Sequence, residues 1–435
     1  MDRRQFLKIG TLSTGAVMAG GLPAGAKTET VKTYSSALET QGYVKEPARR
    51  IPVVDKADVV VVGGGPAGFA AAVAAARQGS DVLVLERQYF LGGLFTGCGV
   101  TPIINMYNPV RDGEPVKAVS GICEELCDRL DKVGMLNYEK VRPKVDPEAA
   151  KYYMEEMLSE AGVRLLYGVQ AAEILMSGDR ITTVIVEGKS GRVAIKADYV
   201  IDCSGDGDIL EWAGEDFNVY KEDIGAMWRI GHAAASPRGN VTCIPGVLTR
   251  HTTGERQQDG LDMYNLTRIQ LGLRKMMWED AMDLRKNPGC EDLYLLDTPS
   301  VVGVRITRVL NSVANVTVEG AAVGKSYDDV IGFTGGDSTL SWEDKKVKVG
   351  SRKIWQVPYS ALLPKKVTNL LVAGRCFGFE RGLTYDAREI GTCLMTGQAA
   401  GTAAGIAALK RCGCREVNVP ELQANLRRQK VKLDW

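Results

Sequence analysis

The pattern of hydrophobic and polar positions predicts buried parallel strands that alternate with helices. Residues 57–62 end in four consecutive valines without polar alternation, which is typical of a strand buried on both faces. Residues 81–85 form a second such run, and an Ala-rich stretch through about Gln78 separates the two. A strand, a helix and a strand in this order predict an α/β fold with a parallel sheet.

The same alternation returns later in the chain. Its predicted elements are a helix over residues 148–161, a strand over 163–167, a hairpin between Ile181 and Ile195, strands at 199–202 and 369–372, and a helix over 389–410. The last helix is rich in glycine, and each glycine destabilises a helix by up to about 1 kcal/mol relative to alanine. Close packing or a ligand must therefore compensate at Gly391, Gly397, Gly401 and Gly405.

The loop after the first strand has the spacing of a phosphate-binding turn. Residues 63–68 read Gly-Gly-Gly-Pro-Ala-Gly, which places G-x-G-x-x-G between a strand and a helix. Gly63 allows the tight turn, Gly65 lets the backbone approach a pyrophosphate, and Gly68 lets the helix pack against the strand. The free N–H groups and the dipole of the helix N-terminus favour the negative charge. This loop predicts a dinucleotide site.

Two features indicate which dinucleotide binds. Glu86 ends the second strand, where a carboxylate binds the ribose 2′-hydroxyl and would repel the extra phosphate of NADP. Arg87 follows, and then Gly92 and Gly93, whose lack of side chains would let the backbone run beside a ribityl phosphate. These residues favour FAD over NAD. The alternative is that Gly92 and Gly93 form an ordinary turn.

Length and charge restrict the class of protein. The chain has 435 residues, enough for a cofactor lobe and a substrate lobe, and its hydrophobic fraction of 45% is that of a folded globular protein. The formal net charge of +1 removes the field expected of a nucleic-acid binder or an anionic-membrane binder. We expect a small-molecule substrate and no nucleic-acid partner.

Cysteines and histidines indicate neither a disulfide framework nor a metal site. Several of the ten cysteines lie within Gly-rich or strand-end segments, which favours free, buried thiols. The sequence contains two histidines, and no cysteine pair has zinc-ligand spacing beside them. We therefore expect no bound metal.

The first 26 residues have the pattern of an export signal. Arg3-Arg4 is followed by Gln-Phe-Leu-Lys, a weakly apolar stretch and a small-x-small cleavage site at 24–26, which matches a twin-arginine signal. The apolar stretch is too short and interrupted for a transmembrane anchor. The alternative is a chance Arg-Arg in an ordinary secretory signal. We expect export to the periplasm or the extracytoplasmic cell envelope, with residues 27–56 as a linker.

These motifs together resemble the FAD-dependent oxidoreductase family, within the glutathione-reductase-like flavoprotein class. The resemblance covers residues 58 to about 409, and its more specific segments are Gly92-Gly93, residues 300–308, 357–359 and 369–404. The family pattern around Arg305 usually has Glu and Arg where this chain has Ile306 and Val309. This departure leaves the substrate open.

The resemblance implies a Rossmann-like FAD-binding fold of the three-layer β-β-α type, with an inserted α+β substrate or cap domain. The implied FAD-binding domain comprises residues 57–95, 145–215 and 365–435, and the cap domain comprises 96–144 and 216–364. The expected cofactor-binding residues, which come from the strand-end loops and two helix starts, are Gly63, Gly65, Pro66, Ala67, Gly68, Glu86, Arg87, Gly92, Gly93, Val169, Ser204, Gly205, Gly374, Arg388 and Gly391. Non-covalent FAD is expected, because no histidine lies near Gly92-Gly93.

Candidate catalytic residues follow from their position near the last helix or from their chemistry. Arg388 stands at the entry to that helix and Arg305 comes second; either could hold a substrate carboxylate or donate a proton, or could be a structural arginine. Tyr385 is a plausible cleft residue. His232 and His251 lie in the presumed cap and could be an acid or base, although a surface role is the simpler reading.

The sequence therefore predicts an exported FAD-dependent oxidoreductase, a reductase or dehydrogenase that moves two electrons through FAD to or from a small organic substrate that could carry a carboxylate. Only one complete dinucleotide fingerprint occurs, and NAD(P)H is scarce outside the cytoplasm, so a separate electron-transfer protein is the expected partner. An oxygen-using oxidase and a non-catalytic flavin-binding assembly partner are the alternatives.

Overall fold

A seven-stranded sheet forms the centre of the molecule. The computed structural model describes residues 42–111, 114–139, 142–335, 340–342, 345–347 and 354–434, all within one compact unit that begins at Thr40. The predicted export signal at 1–26 and the first half of the predicted linker 27–56, residues 27–41, lie outside the described residues. The sheet strands are β1 (Val53–Val62), β2 (Val82–Glu86), β7 (Arg164–Tyr167), β8 (Gln170–Ser177), β9 (Arg180–Gly188), β10 (Gly191–Asp202) and β21 (Leu370–Val372).

The sheet order is β7-β2-β1-β10-β9-β8, with β21 also paired to β10. Strands β7, β2, β1, β10 and β21 pair in parallel, whereas β8, β9 and the first half of β10 form antiparallel pairs. Strand β10 therefore pairs with β9 through residues 191–196 and with β21 through 200–202. The predicted strands and the predicted hairpin are all present.

The valines of β1 explain why this strand shows no alternation in the sequence. Val59 and Val61 belong to the hydrophobic core on one face of the sheet, and Val60 and Val62 belong to the core on the other. All four are buried. On the first face lie helix α1 (Pro66–Arg77) and a long helix, Ile390–Lys410.

A second, smaller sheet lies within the predicted cap segment, residues 216–364, and is called the cap sheet below. Its strands, in the order β13-β14-β12-β15, are β12 (Gly225–Gly231), β13 (Asn240–Val241), β14 (Leu248–Thr253) and β15 (Tyr294–Asp297). Helix α6 (Met263–Leu284) covers it, and Ile269, Leu273 and Met277 pack against Trp228 and Ile230 of β12 in a third hydrophobic core. Helix α6 begins at Asp262, whose carboxylate accepts the N–H groups of Tyr264 and Asn265.

The remaining described elements comprise the long helix Ile390–Lys410, here α9, and shorter helices and strand pairs. The helices are α2 (Leu94–Gly97), α3 (Ile122–Lys132), α4 (Pro147–Glu160), α5 (Asp208–Trp212), α7 (Val318–Val323), α8 (Thr384–Ala387), α9 (Ile390–Lys410) and α10 (Val419–Arg428). The strand pairs are β3 (Tyr107–Arg111) with β4 (Glu114–Lys117), β5 (Leu136–Glu139) with β6 (Arg142–Val145), β11 (Phe217–Val219) with β16 (Arg308–Leu310), β17 (Val330–Gly335) with β20 (Ile354–Pro358), and β18 (Leu340–Trp342) with β19 (Lys345–Val347). Short 3₁₀ turns occur at Tyr359–Leu362, Gly374–Cys376, Arg381–Leu383 and Cys414–Glu416.

Three negative findings apply to the part of the chain that the structure describes. No helix there combines the length and the hydrophobicity that crossing a bilayer requires. No group of acidic, histidine and cysteine side chains there has the arrangement of a metal site. The ten cysteines, all within the described ranges, are unpaired, and eight of them are buried.

Candidate functional site

The glycines between β1 and α1 have two different structural roles. Gly63 adopts φ +100°, and a Cβ there would overlap the carbonyl of Cys203. A Cβ on Gly68 would overlap the carbonyl oxygen of Gly63. At Gly65, in contrast, a Cβ would meet no protein atom within 4 Å. Gly63 and Gly68 are thus required for packing, whereas Gly65 faces open space.

That open space lies at the N-terminus of α1. Gly65 is the N-cap residue, Pro66 occupies the first turn, and no side chain caps the helix. Uncapped N–H groups and the helix dipole favour an anion at this end. Ala67, one residue further, is buried. The arrangement fits the pyrophosphate of a dinucleotide.

The segment at Gly92 and Gly93 packs directly beside this loop. The N–H of Gly92 donates to the carbonyl of Gly64 at 2.8 Å. Gly93 has φ +50°, and a Cβ on it would lie 3.3 Å from the Cα of Gly65. The structure therefore brings together the two Gly-rich segments that the sequence assigned to one cofactor.

Glu86 holds the loop in place from the end of β2. Its carboxylate accepts the N–H of Gly64 and the N–H of Gln88, each at 2.7 Å. Burial raises the pKa of Glu86, and these hydrogen bonds oppose the rise. A carboxylate offers about four lone-pair sites, so Glu86 can still accept a ribose hydroxyl. Val169 lies beside it, with its N–H donating to the Glu86 carbonyl at 3.2 Å.

Two further strand-end loops reach the same edge of the sheet. Gly374, after β21, has φ +76°, and a Cβ on it would lie 3.0 Å from the Cβ of Ala67. Ser204 and Gly205 follow β10, and the carbonyl of Gly205 accepts the guanidinium of Arg375. Ligands of open α/β sheets bind at this carboxyl edge. Arg87 is exposed beside Glu86, and its charge acts on Asp206 in the β10 loop.

The start of helix α9 forms the second part of the site. Its N-cap residue, Glu389, is buried and makes no side-chain cap, and burial raises its pKa. A Cβ on Gly391 would lie 2.7 Å from Oδ1 of Asn105. Asn105, which sequence reasoning missed, donates through Nδ2 to Thr334 and Thr392. Its buried Oδ1 accepts no hydrogen bond within the described residues.

The predicted catalytic arginines lie close to each other in front of this helix. The guanidinium of Arg388 lies 5.2 Å from the ring centroid of Tyr385 and 3.6 Å from a carboxylate oxygen of Glu389. Burial lowers the pKa of Arg305, and the positive charge of Arg388 lowers it further. The positive charge of Arg142, on β6, opposes the rise that burial causes in the pKa of both Tyr385 and Glu389. Three arginines therefore lie near Tyr385 and Glu389 at the start of α9, and the space in front of them is called the arginine cleft below.

Arg305 is unusual among these groups. Its guanidinium has neither an ion pair nor a hydrogen bond with any residue that the structure describes, although it is partly buried. Glu222 and Asp223 are near enough to act on its pKa but form no salt bridge with it. A partly buried cation beside a second cation is costly unless an anion satisfies both.

The two histidines lie in different surroundings. His232 is exposed with φ +50°, and its ring packs edge-on against Tyr294 at 5.3 Å. The pKa of His251 is instead lowered by burial, and the positive charges of Arg305 and Arg388 lower it further. His251 thus lies with the predicted arginines, whereas His232 packs at the end of β12. No local sequence signal distinguishes the two, and the roles of all these residues remain predictions.

Comparison with known proteins identifies the relatives. The family model for FAD dependent oxidoreductases matches residues 58–236 and 228–426. A thiamine thiazole synthase of Methanococcus vannielii is 26% identical over 219 residues, which is 47% of this chain and 79% of that protein. A dihydrolipoyl dehydrogenase of Vibrio cholerae is 26% identical over 155 residues, 34% of this chain and 30% of that protein. This chain thus matches less than a third of the length of the second relative.

Solved structures give weaker matches. A geranylgeranyl bacteriochlorophyll reductase-like protein from Thermoplasma acidophilum aligns with a TM-score of 0.43 at 13% identity, over 86% of this chain and 83% of that chain. A p-nitrophenol 4-monooxygenase from Pseudomonas putida aligns with a TM-score of 0.45 at 13% identity, over 87% and 91% of the two chains.

The family match agrees with the geometry and confirms the predicted α/β fold class and the FAD cofactor. It spans both Gly-rich segments, the end of β2, the arginine cleft and helix α9. The open space at Gly65, the uncapped start of α1 and the buried Glu86 are what a flavin dinucleotide requires. The chain belongs to the FAD-dependent oxidoreductase family and is an FAD-dependent enzyme.

Proposed function

We propose that this protein is exported and transfers two electrons between FAD and a small organic substrate that carries a carboxylate. The observation that supports the substrate class is the arginine cleft: the charge of Arg388 lowers the pKa of Arg305, and Arg305 forms no salt bridge with any described residue. A substrate carboxylate would neutralise both charges. A guanidinium can bind it through two parallel hydrogen bonds.

The chain supplies positioning and charge in this proposal, and FAD supplies the redox chemistry when bound. Glycines at 63–68 and 92–93 shape the pyrophosphate side, while the start of α9 and the arginines face the reacting side. Helix α9 begins without a side-chain cap, so its N-terminal dipole adds positive charge to the cleft. An anionic substrate is therefore favoured over a neutral or cationic one.

The test uses the purified flavin-bound protein and pairs of compounds that differ in one charge. Small carboxylates and their neutral amides are screened for bleaching or recovery of the flavin absorbance. We expect carboxylates to react, and we expect Arg388→Gln and Arg305→Gln each to raise KM by at least about tenfold, the effect of about 1.4 kcal/mol. Peroxide release during turnover would instead identify an oxidase.

A matched control is Arg274→Gln, which removes an exposed arginine from helix α6. This variant should keep the KM of the parent protein. Equal reactivity of the amides and the carboxylates, or an unchanged KM in both cleft variants, would contradict the proposed substrate class. The FAD content of each variant is measured first, so that loss of cofactor is not mistaken for loss of substrate binding.

Export is a separate part of the proposal, and it is supported by the Arg3-Arg4 pattern alone. Replacing both arginines with lysine should leave a folded, yellow protein in the cytoplasm, whereas the parent appears in the periplasm or envelope fraction. Export of the double-lysine variant at the parent level would contradict a twin-arginine route. If the protein is exported, it needs a separate electron-transfer protein, since NAD(P)H is scarce outside the cytoplasm.

A further inference from the structure

His251 occupies the junction between the cap sheet and the segment that carries Arg305. It lies on β14 opposite Met227 of β12. Its Nε2 is 3.3 Å from the position that a Cβ on Gly225 would take, and Gly225 pairs with Gly303, two residues before Arg305. Gly225 and Gly303 are so close that a Cβ on Gly303 would overlap the Gly225 carbonyl. The glycine contact therefore places the imidazole beside the segment that leads to Arg305.

The charged side chains that act on the pKa of His251 are all positive. Arg305 and Arg388 act on the imidazole, and no carboxylate does. The carboxylates that precede β12, Glu222 and Asp223, act on Arg305 instead. His251 keeps exposed surface although burial of its imidazole lowers the pKa, so a molecule beside Arg305 can reach it.

The other charged side chains of the cap sheet are already paired. Arg250, next to His251, bonds Asp280 of α6. Arg229 of β12 bonds Asp297 of β15 and Asp146, the N-cap residue of α4. Because these arginines and carboxylates bond each other, they form no hydrogen bond with the imidazole of His251. Burial first, and then the two arginine charges, lower the pKa of His251, which favours the uncharged imidazole at neutral pH, and an uncharged imidazole can accept a proton.

We propose that His251 accepts the proton that the substrate loses on oxidation, and returns it when the reaction runs in reverse. This rests on the proposed function, in which the substrate carboxylate binds at Arg305 and Arg388. An O–H or N–H bond of the substrate breaks and its proton forms an N–H bond at Nε2 of His251. The neighbouring C–H bond breaks with its electron pair, which passes as hydride to FAD, while a C=O or C=N bond forms. The substrate loses two electrons and FAD gains them.

Nuclear magnetic resonance tests the charge environment without any turnover. The chain has two histidines, so ¹⁵N-histidine labelling gives two imidazoles, and His232→Gln assigns them. In the flavin-bound protein, we expect His251 to titrate below the usual range and to move upward in Arg305→Gln. Acetate should also raise the pKa of His251, whereas neutral acetamide should not. His232 should respond to neither.

Kinetics test the proton transfer itself. With a carboxylate found in the screen, His251→Gln should lower kcat by about 10²- to 10⁴-fold, the usual contribution of a general base. KM and FAD content should change little, and the acidic limb of the pH profile of kcat/KM should disappear. A larger loss in His232→Gln than in His251→Gln would assign the role to the other histidine and overturn the proposal.

The outcomes separate this inference from the proposed function. If carboxylates reduce the flavin but His251→Gln keeps the parent kcat and acidic limb, only the role of His251 fails. If no carboxylate reacts and acetate shifts neither imidazole, the carboxylate site itself fails. If Arg305→Gln leaves the His251 titration unchanged, the electrostatic basis of the proposal is wrong, whatever the substrate.

Discussion

At the residue scale, Gly65 and Gly68 allow the cofactor site to be separated from the fold. A methyl group on Gly65 would meet no protein atom within 4 Å, and Gly65 has φ −66°, which alanine adopts without strain. The same group would, however, occupy the space beside the uncapped start of α1. We predict that Gly65→Ala leaves the stability of the flavin-free protein within about 0.5 kcal/mol and weakens FAD binding at least about tenfold.

Gly68→Ala is the matched comparison. Its methyl group would overlap the carbonyl oxygen of Gly63, so β1 and α1 could not pack as they do. This variant should lose folding and FAD binding together. Thermal unfolding of flavin-free protein and fluorescence titration with FAD distinguish the two cases. Unchanged FAD affinity in Gly65→Ala would mean that the cofactor does not approach this residue.

Single residues also show what could and what could not be predicted from the sequence. The roles of Gly63 and Gly68 could be predicted, because a local spacing determines both turn and packing. The place of His251 beside Arg305 could not, because it depends on the register of β14 against β12 and on the Gly225–Gly303 contact. These pairings join segments far apart in sequence. Nothing in the residues next to His251 indicates them.

At the scale of elements, the glycines of α9 find their compensation in helix packing. A Cβ on Gly397 would overlap the carbonyl oxygen of Ala67, and a Cβ on Gly401 would overlap that of Ala71. The backbones of α9 and α1 therefore touch directly. The sequence left open whether packing or a ligand explained the glycines, and the structure shows packing for these two. Gly391, at the start of α9, packs against Asn105 and Val119 instead.

This packing predicts opposite effects for the same substitution in two helices. Gly401→Ala should destabilise the protein by about 1–3 kcal/mol or more, because the added methyl group must push α1 away. Gly272→Ala in the exposed face of α6 should stabilise it by about 0.5–1 kcal/mol, since no atom lies within 4 Å of the new group.

Urea unfolding of both variants, with matched FAD content, gives the two free energies of unfolding. Equal effects of the two substitutions would contradict direct backbone contact between α1 and α9. Helix propensity favours alanine over glycine in both helices, so only packing can make the substitution in α9 destabilising.

Sequence patterns predicted the elements of the cofactor lobe better than those of the cap. The strands of the main sheet are long or continuously apolar, and the observed β2 and α4 lie within a residue or two of the predicted bounds. The cap strands are short, and β13 comprises two residues. Short strands that alternate irregularly give no period to detect. The domain boundaries predicted from the sequence remain predictions.

At the scale of the whole molecule, a largely buried charge cluster links the loop after β10 to β16 and to the loop after β21. Asp206, in the loop after β10, bonds Arg375 and the hydroxyl of Thr307. Arg308, on β16, pairs with Asp208 and Glu211. Burial raises the pKa of Asp206, but Arg375 outweighs this and holds it below its usual value. Burial and the charge of Asp206 raise the pKa of Asp208 to about 7.

This cluster predicts how stability depends on pH. The pKa of Asp208 is raised above that of an unfolded aspartate, near 3.9, so the folded state binds a proton that the unfolded state does not. Its stabilising contribution is complete below about pH 4 and is lost as pH rises through about 7. Asp208→Asn cannot ionise, so the melting temperature of this variant relative to the parent should rise from pH 5 to pH 8. The control is Asp179→Asn, at the exposed turn between β8 and β9, which should follow the parent at both pH values. A constant difference between Asp208→Asn and the parent would show that Asp208 does not titrate in the folded protein between pH 5 and pH 8, and would contradict a pKa of about 7.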